Sequence, residues 1–179
     1  MSFKLAGILF GVGLVALAFA AWWAPRRWPQ LWRVLPRERI IGGGIGLLCL
    51  VWSAILVRPM LEGSMAHLQG YVIPVAVVVA VAGAITMDYV FTRAFGGFLV
   101  LLVNWLLHAA FVVQAPARGA FSVVCYILGL AGILLIANPY RFRDLLETLS
   151  LQARWRHAVG GALLVAGLLT SAIALASHG

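Results

Sequence analysis

Two polar side chains four residues apart, Asn104 and His108, interrupt the otherwise apolar run Leu101–Val113. An imidazole in such a place can ligate haem, hydrogen-bond a quinone, or join an amide as a polar station on a solute path. It can also do no more than bond one helix to the next. Haem held by two histidines needs a second imidazole at similar depth on a neighbouring helix. His67 is the candidate by sequence position, because His157 belongs to the opposite end of the bundle and His178 to the C-terminal tail. A quinone needs less: His108 as donor and Trp105 or Phe111 as an aromatic wall. A solute path would set Asn104 and His108 with Gln69 and Tyr71 toward one mouth. At helical spacing Asn104 and His108 share a face with Gly97, Leu101 and Phe111. Their hydrogen-bonding groups are expected to turn that face into the bundle, where each interhelical bond contributes of order 1 kcal/mol or less. Glue between helices is therefore the leading reading of the pair, and no cofactor is expected.

Little else in the chain has catalytic form. The five acids, Glu38, Glu62, Asp88, Asp144 and Glu147, all fall at or outside the ends of apolar runs. There is no G-x-S-x-G, no H-E-x-x-H and no buried carboxylate pair. Cys49 and Cys125 sit in apolar segments without C-x-x-C or C-x-x-C-H spacing, which excludes a disulfide framework and a covalent haem motif. No metal site and no enzymatic activity are expected. Asp88 and Arg93 flank the short connection "DYVFTR", to which Tyr89 and Thr92 add hydroxyls. The expectation is a hairpin held by hydrogen bonds, with room for an ion pair, in preference to a proton site.

The elements that must position these residues emerge from composition. Of 179 residues, 64% are hydrophobic and 10% charged, far from the balance of soluble domains. Crossing the ~30 Å hydrocarbon core takes about 20 residues of helix. Apolar runs of that size recur along the whole length and predict an all-α integral membrane protein: a single polytopic domain, 1–179, with spans over about 5–23, 40–57, 69–87, 94–113, 119–137 and 157–176. The first run resembles a signal peptide, but Arg26 and Arg27 directly after it oppose export of the chain beyond them, so it is expected to remain as a span.

Lysine and arginine near span ends are retained on the cytoplasmic side. In a six-span layout Arg26, Arg27, Arg33, Arg37, Arg39, Arg93, Arg141, Arg143, Arg154 and Arg156 fall on one side, and Lys4, Arg58 and Arg118 on the other. Both termini are then outside and the arginine-rich face inside, as expected of a bacterial inner membrane protein. The same bias accounts for the formal charge of +8 through anionic lipid headgroups, and nucleic acid is excluded as a partner.

Two segments of that face are candidate docking surfaces. Asn138-Pro139 reads as an N-cap with proline at the first helical position, opening a helix over about 139–152. Phe142, Leu145, Leu146 and Leu149 form its apolar face, and Arg141, Arg143, Asp144 and Glu147 much of the rest. It should lie in the membrane interface or against a partner. The first basic connection interleaves Trp28 and Trp32 with Arg33 and its neighbours, a composition that anchors at headgroup level.

Small residues recur at four-residue intervals in Gly7/Gly11, Gly42/Gly46, Ala76/Ala80/Ala84 and Ala162/Ala166, spacing that lets helix backbones approach in lipid. "IIGGGIG" has the glycine density of a phosphate loop but comes after an arginine-rich connection and not a strand, so it is read as packing. Pro74, one turn into the third run, is a candidate kink. The chain thus reads as a structural or accessory subunit of a larger membrane complex, pairing with other membrane subunits or with itself. The alternatives are a channel or transporter for a small solute, and a quinone- or haem-binding electron-transfer anchor.

Overall fold

Backbone amides in hydrocarbon find no water, so a chain this apolar must satisfy them within helices. The computed structural model describes residues 3–27, 34–61, 63–113 and 117–177. It is all-helical, 91% by residue, with no strand among the described residues. Among the described residues seven α-helices run in order: α1 (Phe3–Arg27), α2 (Arg39–Val57), α3 (Val72–Thr86), α4 (Val90–Val112), α5 (Arg118–Ala137), α6 (Tyr140–Leu151) and α7 (Ala153–Ala176).

Five of them are long and apolar enough to cross a membrane: α1, α2 with its 3-10 extension to Met60, α4, α5 and α7. The third run, expected to span from 69 to 87, is shorter. α3 has 15 residues, about 22 Å at 1.5 Å per residue. Its start is set by a turn in which the Gln69 side-chain amide donates to Leu61 O at 2.6 Å, and its end by Met87 in extended backbone. Pro74 is the third residue of the helix, where a missing N–H costs little, so it helps to begin α3.

Side-chain meetings fix the helix directions. Gly7 lies against Ala174, and Trp22 against Gly160, so α1 and α7 are antiparallel. Gly43 meets Ala84, whereas the Cys49 thiol donates to Ala94 O at 3.7 Å and the Trp52 and Phe98 rings are 6.4 Å apart. α2 therefore runs antiparallel to α3 and parallel to α4. Gly96 faces Gly132 across antiparallel α4 and α5. Phe3 and Phe121 meet edge to face at 5.5 Å, which brings the starts of α1 and α5 to one end. Arg26, Arg27, Arg37, Arg39, Arg93, Arg141, Arg143, Arg154 and Arg156 consequently gather toward one end of the bundle, and Lys4, Arg58 and Arg118 toward the other.

Two seams rest on glycine. A methyl placed on Gly96 would come within 2.6 Å of Gly132 O, and one on Gly132 within 2.8 Å of Gly96 O. Gly11 and Gly167 are related in the same way across α1 and α7, each 2.7 Å from the other's carbonyl by the same measure. Lipid tails are as apolar as leucine, so close van der Waals approach is what holds such helices together. Between the α1–α7 pair and the row α3–α2–α4–α5, the core gathers at the arginine-poor end. It joins Phe3, Phe10 and Leu14 of α1 to Val103 and Leu106 of α4, Phe121 and Cys125 of α5, and Ile173 of α7. At the arginine-rich end α6 closes the gap. Phe142 packs on Phe91 and Phe95 at 6.2 and 6.3 Å, and Leu149 is 4% exposed.

Candidate functional site

α4 carries Asn104 and His108, and it has two distinct sides. Thr92, Gly96, Leu99, Val103, Leu106 and Ala110 are buried, stepping by four and three residues as helices packed side by side require. The sequence expectation placed Asn104 and His108 in such a seam. The structure corrects it: both are exposed and point away from the chain's own core. Gly97 on the same side has open space beyond it, and Phe111 is 55% exposed. The face shared by Gly97, Leu101, Asn104, His108 and Phe111 is as expected, but it lies outermost. Neither Asn104 nor His108 has a hydrogen-bond partner among the described residues. The reason is packing: Gly96 can approach Gly132 only if its side of α4 faces α5, and that rotation carries Asn104 outward.

The other candidates sit at the start of α3. His67 lies in a 3-10 turn, Gly63–Leu68, and is exposed. Gln69 is bound within its turn, and Tyr71 is 66% exposed. Among the described residues no three His, Cys, Asp or Glu side chains come together.

The hairpin between α3 and α4 turns differently from expectation. Asp88 and Arg93 are both exposed, and the ion pair found among the described residues is Arg143–Asp144 at 3.1 Å. The turn is made instead by Tyr89, whose φ of 58° is left-handed. Arg37 lies over its ring at 5.6 Å. A cation over an aromatic face stabilises by about 0.5–1 kcal/mol at an exposed site, and here it ties the chain before α2 to the chain before α4. A hollow of about 510 Å³ lined by Arg37, Arg39, Asp88 and Tyr89 opens beside it. Thr92, expected to add a hydroxyl to the hairpin, is wholly buried with its Oγ1 unpartnered among the described residues. The spacing alone does not reveal that, because the exposed stripe of α4 steps in the same way.

On α6 the apolar face divides. Phe142 and Leu149 pack within the chain, leaving Leu145, 40% exposed, at the surface with Arg141. Arg143 donates two hydrogen bonds to Asp144 Oδ1 at 3.2 and 3.1 Å. The bond and the charge of that carboxylate push the guanidinium pKa up. Asn138 contributes its carbonyl, which accepts from Arg141 N–H at 3.1 Å, and makes no side-chain cap. Trp28, Trp32 and Arg33 lie outside the described residues. A contact without a sequence signal is Trp22, whose indole rests on Gly160 and whose Nε1 is buried without a described partner. The chain matches no family model, no curated protein and no solved structure.

Proposed function

We propose that this chain is a structural or accessory subunit of a larger complex in a bacterial inner membrane. It crosses the bilayer six times, with both termini outside and the arginine-rich end in the cytoplasm. The observation that carries the reading is the outward placement of Asn104 and His108 on α4. An amide left against hydrocarbon forfeits its hydrogen bonds at a cost of several kcal/mol, so a polar stripe on the outside of a bundle calls for a partner in the membrane. The interior supports the same view: the helices close on glycine, alanine, aliphatic and phenylalanine side chains, and Asn104 and His108 face away from it. What the molecule offers is surface.

In the six-span arrangement α3 crosses as the short member, which a membrane accommodates by local thinning and by snorkelling of flanking side chains. α6 then lies at the cytoplasmic interface, with Leu145 and Arg141 facing headgroups or a neighbour.

Purification from native membranes in mild detergent tests the assignment. Unlike subunits should co-purify in fixed ratio. A preparation holding this chain alone, conducting a small solute in vesicles, would replace the reading with a channel. For topology, a cysteine at position 179 should react with an impermeant reagent from outside, and one at position 30 only after permeabilisation. The reverse pattern removes the six-span arrangement.

A further inference from the structure

The outer stripe of α4 steps Gly97, Leu101, Asn104, His108, Phe111, by four, three, four and three residues. That is one face of the helix from end to end, a line along which a second helix can lie. α4 already uses one such seam, Thr92 to Ala110, inside the chain. We propose that the second seam is occupied by another copy of this chain, in a two-fold dimer whose axis runs along the membrane normal and in which Asn104 hydrogen-bonds Asn104 of the second copy. The inference rests on the reading of α4 as a membrane span and names the first partner of that surface.

Depth singles out the second copy. Asn104 is eight residues from the end of α4 at Val112, about 12 Å at 1.5 Å per residue, which places its amide well inside the hydrocarbon. A partner must bring a hydrogen-bonding group to that level. Copies of one membrane protein share their orientation, and a two-fold axis along the normal sets every residue on it opposite itself. An amide meeting its own kind at equal depth is fully complementary, because each donates an N–H and accepts at its carbonyl oxygen. A single asparagine in the middle of a four-and-three stripe is also the device that fixes register and oligomeric state in paired helices. Neutral imidazole has the same two-sided character, so His108 repeats the pairing one turn further out. At the inner end of the stripe Gly97, with open space where a side chain would be, admits close approach of the second backbone.

Disulfide trapping in native membranes tests this directly. Asn104→Cys, made in the otherwise unchanged chain and exposed to a mild oxidant, loses the amide pair, but each disulfide captures a meeting of two copies irreversibly, so it should still link to itself and give a product of twice the chain's mass. Leu168→Cys is the control. Leu168 is eight residues from the end of α7 at Ala176 and 57% exposed, hence at matching depth on a different helix. The parent chain, whose Cys49 and Cys125 are buried, should not link.

A second measurement uses two differently tagged copies in one cell. Capture of one should bring the other, and Asn104→Leu should lower that recovery about tenfold with monomer abundance unchanged. Self-linking at position 104 no greater than at 168, linking to a product of any other mass, or undiminished co-capture of Asn104→Leu would each overturn the dimer. The two proposals fail separately. Unlike subunits co-purifying with an Asn104→Cys chain that does not self-link remove only the second copy, whereas a trapped dimer free of other subunits supports the stripe and removes the accessory-subunit reading.

Discussion

The two seams of α4 share a spacing and differ in everything else. On the inner one, Gly96 lets α5 come to backbone contact and Leu99, Val103 and Leu106 fill the space on either side. On the outer one, Gly97 meets nothing and Asn104 and His108 stand exposed. The inner seam is held by shape, which an apolar helix can supply within its own chain. The outer seam carries hydrogen-bonding capacity, which shape cannot satisfy. In lipid the polar groups do not choose the buried side of a helix: close fit does, because helix and solvent are equally apolar. A polar group then finds its partner inside or outside the chain according to where the small residues have turned the helix.

Filling the adjacent glycines puts the difference between the seams to its most severe test. Gly96→Leu must push α5 away, since the new side chain meets the carbonyl of Gly132 and not the flexible end of a side chain. The expected cost is about 3 kcal/mol or more, read as loss of folded protein in detergent. Gly97→Leu faces open space and should leave the monomer's thermal stability unchanged while lowering association of tagged copies. Equal damage from the two would mean that the sides of α4 are not distinct.

The same contrast marks what was legible in the sequence. Apolar runs located six of the seven described helices, and the run placed at 119–137 became Arg118–Ala137. Errors of about four residues arose where arginine or proline was read as a stop, as at Trp23 before Pro25 and Arg26. α1 continues to Arg27 because long basic side chains reach headgroups from a helix that is still hydrogen-bonded. The small-residue spacing named Gly7, Gly11 and Gly42 as packing positions, and each lies against another helix. Gly96 and Gly132 were missed because neither has a glycine or alanine four residues away.

Facing direction was illegible for a physical reason. Apolar periodicity locates a core by contrast with water, and that contrast is missing where the outside is hydrocarbon. The Asp88–Arg93 hairpin, read for hydrogen bonds with room for an ion pair, is a related case. Both groups reach solvent at a helix end, where a pair is worth little, and the turn is instead made by Tyr89 beneath Arg37.

α6 repeats the division between inner and outer with a smaller expected effect. Leu149 is buried and Leu145 is 40% exposed, although the two are one helical turn apart. Leu149→Asp places a carboxylate at a buried position, where water cannot solvate it. The expected loss is about 3 kcal/mol, seen as reduced abundance in the membrane. Leu145→Asp should cost about 1 kcal/mol or less in the isolated chain, and any larger loss should show only in the yield of the complex. Matching losses in abundance would place Leu145 inside the chain and dissolve the division.

The smallest expected effect belongs to His108. It lies four residues from Val112, about 6 Å from the end of α4, close enough to the surface for water to compete with any protein partner. Asn104, twice as deep, has no such alternative. The two residues of one stripe should therefore differ. His108→Leu should lower recovery of a second tagged copy about twofold, against the larger loss at Asn104→Leu, and His108→Gln, which keeps a donor and an acceptor, should lower it less. Monomer stability should not respond to either, because the imidazole hydrogen-bonds no described group in its own chain. The purified wild-type protein should show no Soret absorbance. A Soret band abolished by His108→Gln would assign the stripe to haem, and an effect on association as large at His108 as at Asn104 would show that depth does not govern it.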